Sequence, residues 1–127
     1  MPLPQLSALI VDDVAAVRSF IAEILRQLGI AQVLEAADGT SATALFCQHQ
    51  PQLVFLDIQL PDINGQQLLK QFKQQHQQTD IFMVSAFSSV ENLQQAVANG
   101  ASAFVVKPFS AQRINKLVQP LLNETAR

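Results

Sequence analysis

Four unbroken apolar runs restrict what this chain can fold into more than any other feature: Ala8-Leu9-Ile10-Val11, Leu53-Val54-Phe55-Leu56, Ile81-Phe82-Met83-Val84 and Ala103-Phe104-Val105-Val106. Runs of this length without polar alternation are strands buried on both faces, and the helix-length segments between them make the sheet parallel. Each run stops at a residue able to handle a phosphoryl group: Asp12-Asp13, Asp57, Ser85 and Lys107 in turn. The carboxyl ends of parallel strands lie along one edge, where ligands bind at the topological switch point. Three carboxylates, a hydroxyl and an ammonium are therefore expected to converge.

The intervening segments carry helical spacing and helix punctuation. Val14, Val17, Phe20, Ile21, Ile24, Leu25 and Leu28 recur at helical intervals, and Gly29 closes that helix. Gln32 to Ala36 alternates like an edge strand, and Asp38-Gly39 opens a helix reaching about His49. The loop Gln59-Leu60-Pro61-Asp62-Ile63-Asn64-Gly65 leads into a helix reaching about Gln75. The spacing of Ser88 and Glu91 predicts a capping box before a helix that ends at Asn99-Gly100. Ser110 caps a last helix bearing Ile114, Leu117, Val118, Leu121 and Leu122. Pro120 falls inside that stripe, removing a backbone donor and crowding the preceding turn, so the helix is expected to kink or stop near Val118. Five alternations without a linker predict one α/β domain over residues 1–127, a doubly wound five-stranded parallel sheet.

Composition narrows the function. A chain of 127 residues can bury roughly two-thirds of its unfolded surface in one core. With a net charge of -2 and eight scattered Lys and Arg, it has no basic face for nucleic acid. The single Cys47 cannot close an internal disulfide. Neither a leader nor a membrane-length apolar stretch is visible, so a cytoplasmic location without membrane attachment is expected. Only 14% of residues are charged, and the Gln-rich stretches at Gln66-Gln67, Gln74-Gln75-His76-Gln77-Gln78 and Gln94-Gln95 read as solvated helix faces. His49 and His76 are expected in solvent and Cys47 as a small helical residue, since no metal or thiol partner spacing surrounds them.

Asp12, Asp13 and Asp57 are hard oxygen donors, which suits Mg²⁺ (or Mn²⁺) with retained waters better than Zn²⁺. A divalent cation relieves the repulsion among the carboxylates, after which one can attack a phosphoryl donor and form an acyl phosphate. Asp57 stands alone between the other groups and is the expected nucleophile. Lys107 would bring a positive charge to the phosphoryl oxygens and Ser85 a hydrogen bond. No second carboxylate stands two residues past Asp57 to act as a general acid on a soluble substrate. The expected chemistry is thus confined to the chain's own phosphorylation and dephosphorylation, and the protein is not expected to be an enzyme.

At Leu9-Ile10-Val11-Asp12-Asp13, at Leu34-Glu35-Ala36-Ala37-Asp38-Gly39, from Leu56 through Gly65, at Val84-Ser85-Ala86 and from Gly100 through Phe109, the chain resembles the receiver domain of two-component response regulators. The resemblance covers it nearly end to end. It implies a flavodoxin-like (βα)5 fold and a phosphorylation-controlled switch in a two-component or chemotaxis-type phosphorelay. It implies that Asp57 accepts a phosphoryl group from a sensor histidine kinase, a phosphotransfer protein or a small phosphodonor. Mg²⁺ would be held by Asp13, Asp57 and the Gln59 backbone carbonyl, and by Asp12 through water. The resemblance also implies that Ser85 is drawn inward on phosphorylation, that Phe104 follows, and that the Lys107-Pro108 bond is cis. An output protein would read the face of the fourth helix, fifth strand and fifth helix. Ala103 stands where many DNA-binding regulators carry an acidic residue used in dimer contacts, so a monomer or weak dimer is expected. Phe87 and Gln59 occupy positions that flank the phosphoryl group in relatives. Phe87 offers bulk and Gln59 no charge to activate water, so slow self-dephosphorylation is expected.

Overall fold

In the computed structural model, which describes residues 6–86 and 89–125, strand and helix alternate five times. The elements are β1 (Ser7–Val11), α1 (Ala15–Gln27), β2 (Gln32–Ala36), α2 (Gly39–His49), β3 (Leu53–Asp57), α3 (Gly65–Gln75), β4 (Asp80–Ser85), α4 (Val90–Ala98), β5 (Ala103–Val106) and α5 (Ala111–Thr125). All strand pairs are parallel, in the order β2-β1-β3-β4-β5. The chain starts near the middle of the sheet, lays β2 to one side, then crosses back to build β3, β4 and β5 outward on the other. The direction of winding reverses between β1 and β3, which makes their carboxyl ends the switch point.

Side-chain alternation sorts the apolar runs into two layers. Ala8, Ile10, Leu53, Phe55, Phe82 and Val84 pack with α1 and α5 residues such as Ile21, Leu25, Ile114 and Val118. Leu9, Val11, Val54, Leu56, Ile81 and Met83 pack with α2, α3 and α4 residues such as Phe46, Leu69, Phe72 and Ala96. Both sides of the central strands are covered, which is why their sequences show no polar alternation. Phe46 and Phe72 stack at 4.0 Å between centroids and lock α2 to α3.

Local punctuation follows the sequence in most places. Gly29 and Gly100, with φ of 91° and 94°, end α1 and α4 in the left-handed region that glycine adopts freely. Asp38 caps α2 by accepting from the Ser41 N–H. The Ser110 hydroxyl accepts from the Arg113 N–H and caps α5. Two expectations are corrected. The cap of α4 is Ser89, whose Oγ accepts from the Asn92 N–H at 3.1 Å, so the helix begins one residue later than the Ser88 and Glu91 spacing predicts. Ser88 itself, like Phe87, lies outside the described residues. Pro120 does not stop α5, which runs on to Thr125. Leu117 before it and Leu121 and Leu122 after it all pack against the core, and that burial outweighs one missing donor.

The loop between β3 and α3 is tied down at both ends. The Gly65 N–H bonds the Ile58 carbonyl at 2.6 Å. Asp62 reaches over to α2, accepting from the Gly39 N–H at 2.8 Å, the Thr40 N–H at 2.9 Å and the Thr40 hydroxyl at 2.8 Å. The Gly39 N–H first, then the Thr40 hydroxyl, hold the Asp62 carboxyl below its ordinary value. A depressed folded-state pKa gives stability that is present above the ordinary value and lost as pH falls through the folded one. Asp62→Ala is therefore expected to lower the melting temperature at neutral pH, with the gap to wild type closing in acid below the ordinary value of 3.8. Thermal melts at neutral and strongly acidic pH check this; a gap that persists in acid counts against the cap.

Candidate functional site

β1, β3, β4 and β5 deliver their last residues to a single edge of the sheet. Val11 lies beside Leu56, so the next residues, Asp12 and Asp57, stand side by side at the switch point. Ser85 pairs with Val106, and the Lys107 N–H bonds the Ser85 carbonyl at 2.8 Å. Asp12 and Asp57 are 2% and 5% exposed, while Asp13 faces solvent. One oxygen from each of the three carboxylates lies within 4.8 Å of the others. The Lys107 ammonium sits between two of them, 2.7 Å from Asp12 Oδ2 and 3.2 Å from Asp57 Oδ2. The remaining oxygens accept backbone donors: Val14 N–H to Asp12 Oδ1 at 2.8 Å and Gln59 N–H to Asp57 Oδ1 at 3.1 Å.

Electrostatics at this edge are in tension. Burial pushes the Asp57 carboxyl above its ordinary value; the Gln59 N–H pulls it down, the Asp12 charge pushes it up again, and Lys107 offsets only part of this. Burial alone would lower Lys107, but the hydrogen bond to Asp12 and the two carboxylate charges outweigh it and hold the ammonium above its ordinary value. One cation thus faces more than one anion in a poorly solvated crevice. A second positive charge is what the donor set lacks. Three hard oxygen donors gathered within 4.8 Å suit Mg²⁺, which takes a few carboxylates and keeps several of its waters. Asp13, exposed and next to Asp57, leaves room for water ligands.

The structure therefore brings together Asp12, Asp13, Asp57 and Lys107. Ser85 is fully buried at the end of β4, on the side-chain phase of Ile81 and Met83, and borders the cluster through its carbonyl. Phe104 is half-buried against the layer beneath α4. The Lys107-Pro108 peptide is cis. Gln59 lends its N–H to Asp57 and is otherwise exposed. Cys47 is exposed on α2, whereas His49 and His76, both expected in solvent, are half-buried, the His76 ring 5.5 Å from that of Phe46.

Two features escape sequence reasoning. Arg18 donates to the Asp12 carbonyl at 2.6 Å and pairs with Glu35 at 3.4 Å, bracing the turn that presents Asp12. Its position among helical charges gave no sign of this. Phe20, which fits the apolar stripe of α1, instead lines an open pocket of about 580 Å³ with Ala16, Val17, Ala86, Lys107, Pro108 and Phe109. Helical spacing cannot separate the edge of a stripe from its centre.

Comparison with known proteins agrees with this geometry. The profile of the response regulator receiver domain matches residues 8–119. The chain is 39% identical to the chemotaxis protein CheY of Bacillus subtilis over 115 residues, 91% of this chain and 96% of that one. It superposes with a TM-score of 0.89 on a CheY-like receiver domain from Methanospirillum hungatei, at 28% identity, covering 97% of this chain and 98% of that one. It superposes with a TM-score of 0.86 on CheY in the CheX-CheY-BeF3-Mg complex of Borrelia burgdorferi, at 25% identity over 92% of this chain and 89% of that one. The fold, the clustered acids at the switch point and these relatives lead to one assignment: the chain belongs to the response regulator receiver family and serves phosphorylation-controlled two-component signalling.

Proposed function

We propose that Asp57 is the phosphoacceptor of this receiver and that residues 1–127 act as one switch domain in the cytoplasm. The observation that carries the reading is the Lys107 ammonium bridging buried Asp12 and Asp57 with the Asp13 carboxylate alongside. Asp13, Asp57 and the Gln59 carbonyl would hold Mg²⁺, with Asp12 behind a water. When bound, the ion supplies positive charge to the carboxylates and the incoming phosphoryl oxygens. An Asp57 oxygen attacks the phosphorus of a donor phosphohistidine or acetyl phosphate; the bond from phosphorus to the donor breaks, and an acyl phosphate remains. Lys107, released from its share of Asp57, then pairs with the phosphoryl oxygens. Ser85 follows with its hydroxyl, and Phe104 moves into the space on that same layer.

The donor is a sensor histidine kinase or a phosphotransfer protein. The apolar pocket beside Lys107 gives it a surface to seat against. The receiver of the signal is an output protein on the α4-β5-α5 face. Val90, Leu93 and Val97 are exposed at successive turns of α4, and Val106 at the end of β5 is exposed as well, apolar surface that supports this reading. The Gln59 side chain has no charge to activate water, which supports slow self-dephosphorylation. Incubation with acetyl phosphate and Mg²⁺ is expected to add the mass of a single phosphoryl group, and chelation with EDTA to prevent it. Equal incorporation with and without EDTA would overturn the metal's role; no incorporation with Mg²⁺ would overturn the phosphoacceptor assignment.

A further inference from the structure

α4 carries the apolar stripe of the output face, yet Ala96 is its one buried residue. Apolar packing alone holds its first turn weakly. A polar tie reaches that turn from α3. Gln66, read in the sequence as part of a solvated face, is 2% exposed. Its Nε2 donates to the Asn92 backbone carbonyl at 2.8 Å, between elements 26 residues apart. Its Oε1 is buried with no hydrogen-bond partner, unlike every other buried side-chain oxygen or nitrogen among the described residues. A residue serving packing alone would be apolar here, as Leu68, Leu69 and Phe72 are, because an unsatisfied buried amide oxygen opposes folding.

The other end of the tie is seated on the phosphoacceptor. Gly65 bonds Ile58 through its N–H, and a Cβ built on it would overlap the Asp57 carbonyl oxygen. Gln66 is thus the first side chain projecting from backbone packed directly against Asp57. Its target, Asn92, lies two residues after Val90 and one before Leu93, both in the exposed stripe.

We propose, building on the switch reading above, that Gln66 is a positioning residue that couples α4 to the phosphoacceptor loop through its side-chain amide. A shift of the backbone between Asp57 and Gly65 is passed to the first turn of α4 by one hydrogen bond. The unpartnered Oε1 gives the amide a second bonding capacity to use when α4 takes up a new position. This route runs beside the one through Ser85 and Phe104 and does not need either side chain to move first.

Gln66→Met keeps the length and apolar body of the side chain but has no donor; Gln66→Leu is the second variant, and thermal melts confirm that both are folded. Labelling by acetyl phosphate with Mg²⁺ stays at the wild-type level, since neither variant touches the acceptor. Amide hydrogen exchange over residues 90–99 of the resting protein speeds up roughly three- to tenfold, the equivalent of one lost hydrogen bond. Beryllofluoride with Mg²⁺, which shifts the α4 amide resonances of the wild type, shifts those of the variants clearly less over residues 90–93, because only the route through Ser85 and Phe104 remains. A variant that retains the wild-type α4 response overturns the coupling, whatever its stability, because a merely structural Gln66 would change melting and not the response. A wild type that is labelled but leaves α4 unmoved overturns the coupling together with the output face. A wild type that is not labelled overturns the switch reading and this proposal with it.

Discussion

Asp57→Asn is expected to take up no phosphoryl group from acetyl phosphate and Mg²⁺, and at neutral pH to melt above the wild type. The first result follows because the amide lacks the anionic oxygen that attacks phosphorus, while Asp12 and Asp13, whose oxygens lie beside it, are differently disposed around Lys107. The second follows from the raised Asp57 pKa. A buried carboxyl whose folded-state pKa lies above its unfolded one destabilises the fold at pH values above both. Removing the charge removes the cost of burial and the repulsion from Asp12, and Lys107 keeps its shorter bond to Asp12. The wild type gains the same relief as pH falls through the raised pKa, so the two melting curves approach each other in acid. Added Mg²⁺ raises the melting temperature of the wild type by mass action and that of the variant less. Intact mass and thermal melts across pH read all of this. Labelling of the variant equal to wild type refutes the acceptor assignment, and a variant that melts lower at neutral pH refutes the account of the charge.

Gly65→Ala is expected to be the most damaging of the glycine-to-alanine changes. The new Cβ would overlap the Asp57 carbonyl and stand 2.6 Å from Ile58 Cα, and both are backbone. No side chain can rotate away, so α3 must shift and the Gly65 to Ile58 hydrogen bond must lengthen. Overpacking of this severity costs about 3 kcal/mol. For a chain of this size that corresponds to a fall of roughly 10 °C in melting temperature. The shift also displaces the acceptor, and a misplacement on the order of 1 Å can slow a positioned reaction about a hundredfold. Gly29→Ala is the control: nothing lies within 4 Å of its Cβ position, so its φ of 91° alone penalises the change. It should cost about 1 kcal/mol and leave labelling untouched. A Gly65→Ala protein labelled as fast as wild type would show that the loop accommodates the methyl without moving Asp57.

What the sequence made legible was whatever a single element decides alone. The apolar runs of β1, β3, β4 and β5 are buried on both faces, so each announces itself without its neighbours. The residue ending each run is placed by strand direction, so the meeting of Asp12, Asp57 and Lys107 could be anticipated before any distance was known. Features that depend on two elements stayed hidden. Gln66 looks like Gln67 beside it, and only the arrival of α4 overhead buries one and leaves the other in water. Asp62 sits in a loop of turn-forming residues, and its bonds to Gly39 and Thr40 exist because the sheet brings α2 alongside. Ser88 and Ser89 are chemically equivalent caps, and which one α4 uses is settled by where the helix can dock. Pro120 breaks a local rule, but the local rule takes no account of Leu121 and Leu122 burying themselves beyond it.

The strand order carries one more implication, for the life of the chain before it signals. Lys107 meets Asp57 across 50 residues and Asp12 across 95, from β5 at the outer edge of the sheet. Contacts at such separations are the costliest to close and form late in folding. During synthesis the three acids emerge first and wait for their cation, which comes with the final strand. A chain that stops before β5 thus carries the three acids without their counter-charge. On the proposed role of Lys107, competence to receive a message is in this way a report on manufacture: only a chain that has been made and folded through its fifth strand can be told anything.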